Sequence, residues 1–339
     1  MAGYNKRFKE FKFIGALAVL MKKYVDEKRA LGRLFNKQSQ MLVRVDKLSI
    51  ALELDKPELT RELVECWIEL SPNESRKNQR YRLNFIKLFG KFMIRLGYKA
   101  YIPTVKISSR DDAVFVPYIF TKDELKRIFQ AVDNLPKSYE YPNAHLVYPV
   151  LFRILYCCGL RVSEAVNLKV MDVDLQSGVL RLESAKHNKQ RYVPMSADVT
   201  EECRILTAKI HQASSATAFF FPNARNNAHH TGAVYWMFRE LLRKAGISHG
   251  GKGNGPRLHD LRHTFSVHCL QRWENNGVDL NNALPYLSAY LGHKKLTGTQ
   301  KYLRLTAEAH KNVVSMLEAY ADGIIPKLKI QHGERSFAN

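Results

Sequence analysis

Cysteine, carboxylates and long apolar runs are all scarce in this 339-residue chain. The five cysteines are Cys66, Cys157, Cys158, Cys203 and Cys269. Their number is odd, two are adjacent and none forms a CxxC pair. This argues against a disulfide framework and for a reducing compartment, so a cytoplasmic location is expected. No apolar run approaches the roughly 20 residues that span a bilayer, so no membrane is expected as a partner. The stretch Phe13–Met21 follows several lysines, as a signal-peptide core would. It is short, lacks a convincing cleavage site and runs into charged residues, so it reads as the start of an ordinary helix. Asp and Glu total 32 against 53 Lys and Arg, for a formal net charge of +21. Such an excess repels itself unless a polyanion relieves it. Nucleic acid is the leading candidate; an anionic membrane surface, the other polyanion that could meet this charge, ranks below it and is not expected as a partner.

What is present is ordinary globular material, 45% apolar and 25% charged. The length favours two domains. Residues 1–110 carry 24 Lys/Arg against 11 Asp/Glu, so basic charge is densest there. This third reads as mostly helical. Ser71-Pro72-Asn73-Glu74 predicts a helix start, with the helix running to about Leu96 and stopping at Gly97. Tyr81, Phe85, Leu88, Phe92 and Leu96 would be its apolar stripe. Arg76, Arg80, Lys87, Lys91 and Arg95 fall on another face. A solvated face is the usual meaning of such a stripe. The absence of Asp or Glu from Arg76 to Arg110 shifts the reading towards phosphate contact.

A polar stretch over 104–117 reads as a linker. Thr121-Lys122-Asp123-Glu124 is a second helix-start box, followed by the stripe Leu125, Ile128, Phe129 and Val132. A buried helix is expected over Leu146–Cys158, with Pro149 in its first turn and Gly159 as its stop. Short strands are expected at 173–175, 179–183 and 191–194, the last two joined as a hairpin by Ala185-Lys186-His187-Asn188-Lys189. The rest reads as helices and loops, with Thr306 to about Tyr320 helical. The glycine-rich run 250–255 lacks the Gly-Lys-Ser/Thr of a phosphate-binding loop, which argues against nucleotide binding there.

The segment His259-Asp260-Leu261-Arg262-His263 carries the most chemistry. On a helix, positions 259, 262 and 263 share one face. Two histidines four apart could hold zinc, as in metalloproteases. Arg262 would then aim a cation at the metal, and no third ligand is near. A planar cation flanked by imidazoles suits a phosphate better. Arg161 stands just after a helix stop with Glu164 close enough to buttress it. Leu291-Gly292-His293 precedes Tyr302 by a short interval.

Taken together and in this order, these segments resemble the tyrosine recombinase (phage integrase) family. The matching residues are Gly159-Leu160-Arg161-Val162-Ser163-Glu164, Lys186 on the hairpin, the 259–263 segment, Leu291-Gly292-His293 and Tyr302, over roughly residues 118–320. The resemblance implies a mainly α fold with a small β-sheet. A helical core-binding domain over 1–103 would be joined by a linker to a mixed α+β catalytic domain over 118–325, with a tail over 326–339. The two domains would close around double-stranded DNA as a clamp. The resemblance also implies the site roles. Tyr302 would attack a scissile phosphate, and Arg161 and Arg262 would bind its oxygens. Lys186, with Lys189 as a substitute, would protonate the leaving oxygen. His259 would take the tyrosine proton and His293 would bond a phosphate oxygen. Glu164 and His263 would lie behind these groups.

The implied reaction needs neither ATP nor metal, and no cofactor is expected. The implied assembly is four copies on two DNA sites, with the tail docked on a neighbour or folded back in cis. Tyr286 and Tyr290 read as core. The competing functions are a type IB topoisomerase, a telomere resolvase, a non-catalytic DNA-binding protein and the zinc hydrolase.

Overall fold

The computed structural model describes residues 8–108, 116–183, 190–251, 255–293, 295–300 and 302–303. The chain divides into two compact units, residues 1–115 and 116–339.

The first unit is built from α1 (Ala18–Ala30), α2 (Asn36–Ala51), α3 (Arg61–Ile68) and α4 (Arg76–Arg95). The Asp46 carboxylate on α2 accepts the backbone N–H groups of Ile14 and Gly15 at 2.8 and 3.0 Å. Those donors precede α1, where backbone N–H groups have no intrahelical partner. Leu20, Leu42, Val64, Ile86 and Phe89 form the core.

Helix α4 differs from its sequence reading at both its start and its phase. Ser75, not Ser71, is the cap, accepting the Asn78 N–H at 3.2 Å. Residues 71–74 instead form a turn in which Asn73 takes φ +63°. That turn delivers Glu74 to Arg82, and the pair is almost wholly buried. The buried face is therefore Arg82, Leu83, Phe85, Ile86, Phe89, Phe92 and Met93. Tyr81, Leu88 and Leu96, expected in the stripe, are exposed. Apolar spacing alone could not show that an arginine takes a core position, because its ion pair forms outside the helix.

The second unit opens with α5 (Lys122–Asp133). Thr121 and Glu124 form the expected reciprocal cap, a feature worth about 1 kcal/mol. Helix α6 spans Ala144–Cys157, and α7 spans Val162–Ala165. Because α6 starts at Ala144, Pro149 lies in its interior rather than its first turn. Gly159 ends this stretch at φ +57°, and a Cβ there would sit 2.5 Å from the Phe265 ring. Strands β1 (Val173–Asp174), β2 (Val179–Glu183) and β3 (Gln190–Pro194) form one antiparallel sheet in that order. Leu182 pairs with Arg191 across β2 and β3. Helices α8 (Ala197–Ile210), α9 (Thr231–Lys244), α10 (Asp260–Asn275), α11 (Leu280–Leu291) and α12 (Thr297–Gln300) complete the described part.

Phe120, Phe152, Phe220, Phe221 and Phe238 anchor the main core. A smaller core joins α10 and α11 through Val267, Leu270, Leu284, Leu287 and Leu291, and Tyr302 belongs to it. Tyr290 packs against this core, stacked on Phe265 at 5.7 Å. Tyr286, expected in the core, is 76% exposed, because it lies on the opposite side of α11 from Leu284, Leu287 and Leu291. All five cysteines are free thiols. Among the described residues no helix is long and apolar enough to cross a membrane. The expected helix over 306–320, the tail, and the hairpin residues Lys186 and Lys189 lie outside the described residues.

Candidate active site

Four separate segments deliver polar side chains to one place in the second unit. The first is the α6–α7 turn. Glu164, in the first turn of α7, accepts the Arg161 backbone N–H at 2.8 Å and its Nη1 at 2.7 Å. A glycine stop followed at once by a new helix start therefore turns Arg161 out of the helix and braces it. Arg161 Nη2 also donates to the Gly292 carbonyl at 3.2 Å.

The second segment is the start of α10. Arg262 is 1% exposed and is the largest fully buried side chain among the described residues. Its guanidinium donates to the carbonyls of Gly159, at 2.6 Å, and Leu291. Both carbonyls belong to helix ends, where acceptors lack intrahelical partners and favour a cation. The Glu164 carboxylate stands 3.9 Å away. A guanidinium has five N–H donors, and the bonds described use two on each of Arg161 and Arg262. His259 precedes α10 and stands edge-on to His263, with ring centroids 4.7 Å apart.

The third segment follows α11. Gly292 takes φ +64°, the left-handed helix end that glycine favours. His293 follows, with Nδ1 2.8 Å from the Thr299 hydroxyl. The fourth segment holds Tyr302, which is 3% exposed. Its hydroxyl lies 3.0 Å from His263 Nδ1, with Ser266 also in reach. The phenol thus meets His263, whereas the sequence reading paired it with His259. The two histidines are one helical turn apart, so spacing alone does not decide which one meets the phenol.

One residue of this cluster escaped sequence reading. Arg191, on β3, bonds both Glu164 oxygens at 2.8 and 3.0 Å and donates Nε to the Tyr290 carbonyl at 3.0 Å. A basic residue beside a basic hairpin looked like one more surface charge. Its only sequence signal is position, since alternation along β3 puts Arg191 on the same face as the buried Val193 and opposite the exposed Tyr192.

Glu164 therefore serves three arginines, Arg161, Arg191 and Arg262, with one negative charge. Although burial alone would raise its pKa, bonds from Arg191 and Arg161 bring it down to about 2. The surplus positive charge has no described carboxylate to meet it. The histidines respond accordingly. Burial, then the Arg262 and Arg161 charges, push His293 down to about 4. Burial, His259 and Arg262 push His263 down to about 3. His259 shifts the same way, to about 4, through desolvation and the same arginines. Its exposed edge lets solvent screen part of that effect. Burial raises the Tyr302 pKa, while Ser266, Arg262 and Arg161 oppose the rise. At neutral pH the site therefore holds neutral imidazoles that can accept a proton, fixed cations and a protonated phenol. Among the described residues no His, Cys, Asp and Glu cluster could hold a metal ion.

Clustered cations, imidazoles and one phenol suit the binding of a phosphate, here on a mainly helical unit with a small antiparallel sheet. The sequence pattern of the phage integrase family matches residues 119–309. The chain belongs to that family. It is a tyrosine recombinase, an enzyme of site-specific DNA recombination, which favours recombination over the topoisomerase and resolvase alternatives. A putative integrase/recombinase, y4rB of Sinorhizobium fredii, is 29% identical over 302 residues, 88% of this chain and 96% of that protein. Tyrosine recombinase XerC of Oceanobacillus iheyensis is 27% identical over 239 residues, 69% of this chain and 72% of that one. The fold is similar to the crystal structure of XerH site-specific recombinase bound to palindromic difH substrate in a post-cleavage complex. The TM-score there is 0.60 at 18% identity, covering 83% of this chain and 78% of that chain.

Proposed function

We propose that the pocket around Glu164 cuts and rejoins double-stranded DNA with Tyr302 as the nucleophile. The observation that carries this reading is the convergence of Arg161, Arg262, His259, His293 and Tyr302 around one carboxylate. The Tyr302 oxygen bonds to the scissile phosphorus as the bond to the 5′-oxygen breaks. This leaves a 3′-phosphotyrosyl link and a 5′-hydroxyl. A free phenol has a pKa near 10, and burial raises that of Tyr302 further, so it needs a base as it attacks. His259 is the assigned acceptor. His263, the present partner of the hydroxyl, holds Tyr302 in its pocket until the ring moves towards DNA. Arg161 and Arg262 stabilise the charge that builds on the non-bridging oxygens, and His293 bonds one of them. Lys186, or Lys189 in its place, protonates the leaving oxygen. Attack by a 5′-hydroxyl from another strand reverses the steps and rejoins the DNA. The covalent link conserves the energy of the phosphodiester, so ATP is not required.

The first unit is assigned as the core-binding domain over 1–103, joined by the 104–117 linker to the catalytic domain over 118–325. Arg76, Arg80, Lys87, Lys91 and Arg95 follow one another at helical spacing along α4 and would meet phosphates. Arg95 also pairs with Glu27, and Arg80 and Lys87 bond the carbonyls of Ser108 and Val105. Those bonds orient the side chains. A palindromic substrate in the XerH complex supports two copies on a two-fold DNA site. Two such pairs would form the recombining tetramer, and action on DNA supports a cytoplasmic location.

The test uses two DNA sites on separate duplexes, with a supercoiled plasmid as the second substrate. Strand transfer between the duplexes is the expected result. Relaxation of the plasmid without strand transfer would mean that the same chemistry serves topoisomerase action instead.

A further inference from the structure

Arg191 sits in a closed ring of contacts whose other members are Glu164, Arg161 and Gly292. Both Arg191 and Arg161 bond Glu164. Arg161 bonds the Gly292 carbonyl from one side. On the other side Arg191 lies so close to Gly292 that a Cβ there would stand 2.8 Å from its Nη1. Arg191 also holds the Tyr290 carbonyl, two residues before Gly292. The strand β3, the Arg161 turn and the end of α11 that leads to His293 are thus fastened to one another through a single guanidinium. Three of its five N–H donors point inward on these partners, and its side chain is only 18% exposed. It is poorly placed to grip DNA itself.

Charge supplies a second argument. Without Arg191, both Glu164 oxygens would be left to Arg161 and Arg262. The carboxylate would then cancel charge that those two groups hold for a phosphate. Planar bidentate pairing keeps Glu164 engaged and fixes its direction, which an ammonium group cannot do equally.

We propose that Arg191 is a positioning residue for strand cleavage. It sets the direction of Arg161 through Glu164 and the placement of the His293 segment through Tyr290 and Gly292. This inference rests on the functional reading above.

The experiment measures covalent adduct formation on a nicked DNA duplex at saturating protein. It compares wild type, Arg191→Met, Arg191→Lys, Glu164→Gln and the Arg191→Met/Glu164→Gln double variant. The rate constant and the final active fraction are read separately, with DNA affinity measured in parallel. A displacement of about 1 Å in a reacting group costs on the order of 100-fold in rate. Arg191→Met is therefore expected to slow cleavage by about that factor while DNA affinity stays within about threefold. Arg191→Lys should recover only part of the rate. The double variant should be no slower than the slower single variant, because both changes break one unit. A wild-type rate constant in Arg191→Met would overturn the proposal, even with a reduced active fraction, because that pattern is a purely structural loss. Multiplying losses in the double variant would overturn it as well. A wild type that forms no adduct would instead remove the functional reading, and this inference with it.

Discussion

Each unit of the protein buries an arginine against a glutamate, and the two sites come out differently. In the first unit, Arg82 meets Glu74 one to one, with side chains 5% and 7% exposed. Its remaining donors go to the carbonyls of Trp67 and Glu69, and its guanidinium lies over the Trp67 ring. Charge is balanced and four of the five N–H donors are used. In the second unit, Glu164 is shared by Arg161, Arg191 and Arg262. Charge there is unbalanced, and Arg161 and the pocket histidines border solvent. The first arrangement is a closed structural clasp. The second keeps positive charge ready for an anion that the protein does not itself supply. What separates a brace from a reaction site is the surplus, not the presence of a buried ion pair.

The strongest way to sharpen this comparison is to remove one arginine from each site. Arg262→Ala should lower the cleavage rate at saturating DNA by about 10²–10³-fold, the usual loss for one transition-state donor. Arg82→Met should leave the rate per folded molecule within about twofold and cost about 3–5 kcal/mol of stability, as broken buried pairs do. Urea unfolding and single-turnover cleavage read the two effects separately. Equal catalytic losses in both variants would erase the distinction.

Acid should strain the second site next. The folded pKa of Glu164 is about 2, below its ordinary value of 4.5. Its stabilisation is therefore complete above about pH 4.5 and is lost as pH falls towards 2, by roughly 3 kcal/mol. Glu164→Gln should flatten that part of the stability curve. Glu74 is also lowered, with its Arg82 and Ser71 bonds outweighing burial, so its contribution has the same sign.

The histidines give a third contrast. His263 and His293 stay neutral down to about pH 3 and 4 in the folded protein. The unfolded chain would protonate them near the ordinary value of about 6.5, so folding stability falls as pH drops below that value. Proton NMR should show neither ring titrating between pH 5.5 and 8. A transition near 6.5 for either would mean that the arginines do not shape the pocket as described.

The smallest expected effect concerns the α4 ridge. Lys87→Ala or Lys91→Ala should weaken DNA binding similarly on all sequences and reduce the salt slope by about 1 each. An unchanged slope would make the ridge a solvated face.

The parts of this picture visible in sequence are those with local causes. Thr121 and Glu124 cap α5 because the box needs only a four-residue span. The three strands alternate and are bounded by turns, so their positions were legible. The family resemblance brought Arg161, His259, Arg262, His293 and Tyr302 together before any geometry was known. What stayed hidden depends on partners distant in the chain. Arg82 in the core of α4 and the shifted start at Ser75 follow from the turn that carries Glu74. Arg191 gains its meaning only when β3 meets α7 and α11. His263 and His259 are one helical turn apart, so only tertiary packing decides which one meets the phenol.

The central claim is that the surplus charge around Glu164 serves attack by Tyr302. The most direct test incubates a nicked duplex carrying the recombination site with wild type and with Tyr302→Phe, both in EDTA. The account predicts an SDS-resistant protein–DNA band with wild type alone, and a DNA-linked peptide that contains Tyr302. A band of equal intensity from Tyr302→Phe would contradict it and move the nucleophile elsewhere.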